Sequence, residues 1–302
     1  MLTFQAAFSG MILTAMVTLV CSFQDDADWH QETMAWRAAR EQKLKAPDGW
    51  LSVSGLFYLK TGDQTFGSAA DCQIHLTSAS LPNIAGTLTV TERSISFRAA
   101  DGVSLRLNDR NVNTGFLRID PVLPEADSPD RLTIGTTSLQ LIRRSGRLAI
   151  RSRDSANPLI AAFPGERWYP PDRKYRVVGT FTPYTEPKTL MIQNIQGESH
   201  EETLGGFAEF RIGDQDFRLE AIADSPETLF FIFKDHTSGQ ETYGAGRFLT
   251  VPRPVGSTIV LDFNRAYNPP CAFNPFTLCP VPPAENHLAI AITAGALKPL
   301  KP

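Results

Sequence analysis

Three carboxylates, one arginine and a series of amides stand out as side chains with chemical reach. Asp235, Asp262 and Glu285 are candidates for a general acid or base, because burial can lift a carboxyl pKa towards neutrality. Arg247 heads the apolar run "FLTV", where an unpaired guanidinium is costly to bury. It calls for Asp262 or Glu241 as a partner, or for the anionic group of a ligand. Asp262 and Asn264 are two positions apart, so on a strand they share one face. Asn264, Asn268, Asn274 and Asn286 each supply amide donors and acceptors that satisfy irregular backbone. Tyr243, Arg247, Asp262, Asn264, Tyr267, Asn268, Glu285 and Asn286 together form the expected ligand site. None of them is assigned a catalytic role.

Signatures of familiar chemistry are missing. No G-x-S-x-G turn presents a nucleophilic serine. "SHEET" at 199–203 sets His200 beside glutamates but has no second histidine for a zinc helix. His30, His75, His236 and His287 are scattered along the chain. No phosphate-binding or dinucleotide fingerprint appears, and no cofactor or metal is called for. In "KDHTSGQETYGAGRF", Asp235, Thr237, the Gly239 carbonyl and Glu241 alternate as oxygen donors, a loose echo of a calcium loop. Their flanks are strands, so a hairpin loop is the better description. Gly244 and Gly246 allow its backbone to pass close to another strand or a ligand.

These residues must be held by strands. From Trp50 onward, short runs with a period of two alternate with turn residues, from "LSVSGLFYLK" and "GTLTV" through "TSLQLIRR" to "STIVLDF" and "HLAIAIT". Turns are expected at Asp101-Gly102, Ser145-Gly146 and Gly213-Asp214. The pattern is all-β: two packed antiparallel β units, sandwich-like over 51–155 and barrel-like or sandwich over 174–298, joined by a proline-broken connection at 156–173. One helix is expected within 23–50, capped by Asp28 with Gln31 three residues on, with Trp29, Thr33, Trp36, Arg40 and Leu44 near one face. Pro47 and Gly49 end it.

The segment 264–286 carries the polar residues on unusually stiff chain. Pro269 and Pro270 fix φ and lower the entropy lost on ordering, while Tyr267, Phe273 and Phe276 give the segment apolar weight. An ordered cap is expected, either walling a pocket or plugging one end of the β structure.

Composition sets outer bounds. The chain has 302 residues, of which 42% are hydrophobic, and a formal charge of −3, so it can bury a core and has no basic footprint for nucleic acid. Residues 2–23 carry no charged side chain and meet "QDDAD", which suits a signal peptide (1–22) or an anchor. Cleavage after Ser22 and lipidation at Cys21 are both open, and membrane contact is expected only through this segment. Export would let Cys271 and Cys279 pair, a cross-link contributing roughly 2–3 kcal/mol for so short a loop. Cys72 alternates with Ile74 and Leu76 and is expected to be buried on a strand.

The motifs "PDGWLSVSGLFYLKTGDQTFGS", "ETYGAGRFL" and "LDFNRAYNPPCAFNPFTLCPVPPAEN" resemble the bacterial and archaeal family catalogued as domain of unknown function 1684, over about residues 34–297. The resemblance implies membership and no particular chemistry. The positions that match the family pattern are Arg247, Asp262, Asn264, Tyr267, Asn268, Cys271, Cys279, Glu285 and Asn286. Residues 66–151 are similar in layout to a forkhead-associated β-sandwich. Ser68 follows Gly67 where that fold's phosphothreonine site has an arginine, so the resemblance does not carry phosphopeptide binding.

The reading is an exported β-rich protein that binds a small or extended ligand near the Arg247 strand and the cap. A hydrolase-type enzyme using Asp262, Glu285 or Asp235 is the alternative, and a purely structural envelope protein is a third.

Overall fold

The computed structural model describes residues 6–78, 80–118, 130–144, 146–223 and 225–300, with side chains from Asp26 onward. Helix α1 (Ala6–Lys45) is continuous. The expected start at Asp28 is therefore corrected: residues 6–27 contain no proline and one glycine, Gly10, so nothing ends the helix there. The cleavage and lipidation sites, Ser22 and Cys21, have side chains outside the described residues. Among the described residues no helix is long and apolar enough to cross a membrane.

The anticipated stripe is the docking face. Trp29, Thr33 and Leu44 are buried, with Trp36 and Arg40 half-buried beside them, and Arg37 is buried too. The chain leaves α1 in a turn closed by Gly49 N–H donating to Ala46 O at 2.8 Å. Gly49 lies against the carbonyls of Lys43 and Leu44, where a Cβ would not fit.

Among the described residues seventeen strands follow, in two groups. The first comprises β1 (Val53–Tyr58), β2 (Gly62–Gly67), β3 (Ile74–His75), β4 (Gly86–Val90), β5 (Ile95–Ala99), β6 (Leu105–Leu107), β7 (Arg110–Val112), β8 (Thr114–Phe116), β9 (Arg131–Ile134), β10 (Thr137–Arg144) and β11 (Arg147–Asp154). The second comprises β12 (Arg176–Gln193), β13 (Ser199–Ile212), β14 (Gln215–Ile222), β15 (Thr228–Phe233), β16 (Arg247–Pro252) and β17 (Thr258–Asp262).

The first group forms two sheets, ordered β1-β11-β10-β9-β6-β7 and β3-β2-β4-β5-β8. Their inner faces meet in one core that includes Phe66, Leu88, Phe97, Leu132, Leu139, Leu141 and Ile150. Strand β4 shows why: Leu88 and Val90 point in while Thr87 and Thr89 point out. Each such leucine or phenylalanine contributes about 1.5–3 kcal/mol on burial. Cys72 is buried, as expected, but it precedes β3 instead of lying on a strand. The β2–β3 pairing departs from the antiparallel rule, since these two strands run parallel.

The second group makes a single antiparallel sheet, β16-β15-β14-β13-β12-β17, that curls into a nearly closed barrel. Its long strands bend at irregular registers between Pro183 and Lys188 and between Leu204 and Gly206. At Gly206 a Cβ would strike Thr182 O, so only glycine lets the two strands close up. The barrel interior is filled by residues such as Phe181, Phe210, Phe231 and Phe263, with Leu288, Ile292 and Ala294 from the C-terminal segment. On the other face Ile192, Leu204, Ile222, Ile232 and Phe248 pack against Cys279.

Between the groups, a second short helix, α2 (Pro158–Ala162), interrupts the expected plain connection. Asn157 caps it by accepting from Leu159 N–H, and Pro158 stands where a missing N–H does no harm.

Candidate functional site

The cap is built from asparagines that each tie down backbone. Asn264 accepts from Asp172 N–H at 2.8 Å and donates to Asp172 O at 2.9 Å, joining the connection to the cap. Asn274 donates to Val53 O at 2.6 Å and accepts from Phe276 N–H, bringing the first strand of the sandwich under the cap. Asn286 accepts from Glu220 N–H at 2.7 Å and donates to Glu220 O and Ile232 O. Asn268 donates to Leu297 O at 2.7 Å. All four are buried, so their amides supply partners that water cannot reach.

Arg247 is also interior, and its partner differs from expectation. Its Nη2 lies 2.5 Å from Asp235 Oδ2 and donates to Ile292 O, and its Nη1 donates to Ala294 O. Asp262 and Glu241 are not its counter-ions. The reason is register: Arg247 pairs with Phe233, which delivers the neighbouring hairpin loop and Asp235 to the guanidinium. The other oxygen of Asp235 accepts from Thr237 N–H and Oγ1. This loop, 234–246, is thus an ordered hairpin connection between β15 and β16. Burial pulls the Arg247 pKa down, and Asp235 opposes the shift.

Asp262 is held in the same manner. One oxygen accepts from Trp29 Nε1 at 2.9 Å, and the other from Asn264 N–H and Nδ2. Of the three expected acid–base candidates, Asp235 and Asp262 therefore have both oxygens engaged by the protein, while Glu285 is exposed on the cap. Tyr267 bonds Thr250 Oγ1 at 2.9 Å and packs its ring beneath Arg40, 4.1 Å from the guanidinium carbon. Tyr243 donates to Cys271 O at 3.2 Å.

Cys271 and Cys279 are free thiols in contact with one another. Cys271 N–H donates to Cys279 Sγ at 3.1 Å. The bond from Cys279, followed by that from Tyr243, outweighs burial and draws the Cys271 pKa down. The same inter-thiol bond, then burial, pushes Cys279 up.

Apart from the exposed Glu285, the expected ligand residues are engaged by the protein itself as a clasp. An open space lies beside it, a cleft of about 700 Å³ bounded by both β groups and the cap. One wall is the tip of the β10–β11 hairpin with Arg143, Arg144 and Arg151, next to Trp50. Arg144 pairs with Arg147 across this tip, and Ser145, in the expected turn, lies outside the described residues. Arg151 stacks on Trp50 with 5.4 Å to the ring centre, and Arg143 Nη1 donates to Gly146 O. Among the described residues the Arg144 side chain has neither a hydrogen bond nor an ion pair.

The facing walls come from Asn194, His200 and Glu202, from Ile222, Phe230 and Phe248, and from the cap at Pro270 and Thr277–Pro280. Glu202 is the carboxylate of the cleft, and its Oε1 is 2.9 Å from His200 Nε2. The lining therefore carries an excess of positive charge beside an apolar surface. Guanidinium groups grip carboxylates and phosphates through paired N–H donors, so an anion is the ligand such a wall suits. Residues 143–153 contain five arginines, the one signal in the sequence that pointed here.

Residues 161–297 match the family described as "Protein of unknown function (DUF1684)". An uncharacterized protein of Haloarcula marismortui, solved by solution NMR, is 32% identical over 45% of this chain and 78% of its own, with a TM-score of 0.39. The FHA-2 domain of a Mycobacterium tuberculosis ABC transporter is 23% identical over 31% of this chain and 77% of its own, with a TM-score of 0.24. No curated protein matches the chain.

Proposed function

The chain belongs to the DUF1684 family, and we propose that it is an exported β-rich protein that binds an anionic ligand in the cleft between its two strand groups. The carrying observation is the wall of Arg143, Arg144 and Arg151 along a cleft of about 700 Å³. Three guanidiniums lining one wall give the cleft a positive potential that an anion lowers. The volume is in the range of ligand pockets, about 300–1,000 Å³.

Location near the cap and the Arg247 strand is supported by Phe248 and residues 277–280, which line the cleft directly. The clasp residues act here by positioning: Arg247 fixes the strand that carries Phe248, and Asn274 fixes the segment that carries Thr277. Export is supported by the uncharged stretch 2–23. In an oxidising compartment Cys271 and Cys279 form a disulfide, their two protons and two electrons passing to a disulfide-bearing oxidant.

Calorimetric titration with citrate and with inorganic phosphate tests the binding site. Saturable binding is expected, weakened at least about tenfold in Arg144→Ala with Arg151→Ala, in line with the loss of about 1.5–3 kcal/mol per charged hydrogen bond. Affinity that survives the double substitution would place the anion elsewhere. Fractionation of cells expressing the full chain tests export, and recovery with cytosolic markers alone would refute it.

A further inference from the structure

We propose that the ligand is an amphipathic anion, a single-chain carboxylate or phosphate with a hydrocarbon tail; this rests on the anion-binding reading above. The two sides of the cleft differ in chemistry. The arginines stand on the hairpin of the sandwich, while the barrel and cap present Ile222, Phe230, Phe248 and Leu278. Phe230 and Phe248 meet edge to face at 4.8 Å, which fixes their rings as a firm apolar surface. Phe248 is buried, whereas Phe230 and Leu278 are half-exposed and line the cleft.

A compact inorganic anion would occupy a small part of about 700 Å³ and leave that apolar wall in water. A polyanion has the opposite difficulty, because cationic side chains line one side and Glu202 stands on the other. A molecule with a charged head and an apolar tail meets both surfaces at once. Its head reaches Arg144, and its tail lies against Phe230 and Leu278 towards the cap.

The test is a calorimetric series of butanoate, hexanoate, octanoate and decanoate on the full chain, below their micelle concentrations, with inorganic phosphate alongside. Burial of each methylene is worth about fourfold in affinity, so decanoate is expected to bind at least about 100-fold more tightly than butanoate. Leu278→Ser, a substitution at a half-exposed position, is expected to flatten the chain-length series while leaving phosphate affinity unchanged. Arg144→Ala is expected to weaken every member of the series.

Equal affinities for butanoate and decanoate, all lost with Arg144→Ala, would overturn the amphipathic ligand and leave the anion site standing. Absence of binding by phosphate and by every carboxylate would overturn both. Decanoate binding that Arg144→Ala leaves intact would overturn the assignment of the head to the arginine wall.

Discussion

Glu166 is a poorly hydrogen-bonded buried charge, and replacing it with glutamine should alter how stability depends on pH. Its side chain is fully buried between α1 and the cap, with Arg40 Nε 2.8 Å from Oε2. The Arg40 N–H is not aligned along that line, and neither carboxylate oxygen has a well-directed donor. Burial pushes the Glu166 pKa up to about 7, with Arg40 pulling the other way and Glu41 adding to the rise. In the unfolded chain the same group titrates near 4.5. The folded state therefore holds its proton more tightly, so the contribution of this group to stability is fully present below pH 4.5, falls as pH rises, and is lost above about 7. A shift of that size corresponds to about 3 kcal/mol. Glu166→Gln keeps the shape and removes the titration. In urea denaturation followed by circular dichroism, the variant and the wild type should be nearly equal at pH 4.5. The variant should gain on the wild type across pH 5–7 and exceed it by up to about 3 kcal/mol at pH 8. A constant difference between the two proteins over this range would refute the assignment of the buried carboxyl.

Other perturbations test the clasp. Asp235→Ala strands the Arg247 guanidinium, which is fully buried, and should lower stability by about 3–5 kcal/mol; a melting temperature within 2–3 °C of wild type, roughly 1 kcal/mol for a protein of this size, would show the pair to be dispensable. Asn286→Ala leaves the Glu220 N–H and the Glu220 and Ile232 carbonyls without their side-chain partner. At about 1–3 kcal/mol for an unsatisfied buried group, urea denaturation should show a loss above about 3 kcal/mol, and a smaller loss than 1 kcal/mol would refute it. Protein purified without reductant and denatured should resist alkylation at Cys271 and Cys279 by mass spectrometry, and reduction should cost roughly 2–3 kcal/mol. Full labelling of both thiols before reduction would rule the cross-link out.

The fold was largely legible because strand periodicity is a local property. Alternation in "GTLTV" or "TSLQLIRR" states which side chains face inward, and turn residues such as Gly213-Asp214 mark where a strand reverses. Helix α1 was legible in its face and its C-terminal stop but not in its start, because Asp28 is a good cap only when something upstream breaks the helix. The short α2 helix had its signal in Asn157-Pro158, hidden among the prolines around it. The cap's order was legible too, as amides on stiff chain.

What the sequence could not convey was which polar residues face one another. Arg247 needed a carboxylate, and that much followed from burial; the choice of Asp235 depended on the β15–β16 register and the path of a thirteen-residue loop (234–246). The cleft was less accessible still, since its walls come from residues near 50, 143–151, 194–202, 222–230, 248 and 270–280. Polar residues in the cap drew attention because they are unusual, yet they are unusual for a structural reason: irregular buried backbone must be hydrogen-bonded by something. Arginines on an ordinary hairpin look unremarkable in sequence, although a strand tip that carries three guanidiniums to a cleft gives that wall a positive potential. In this chain the conspicuous residues hold the architecture, and under the proposed function the inconspicuous ones meet the ligand.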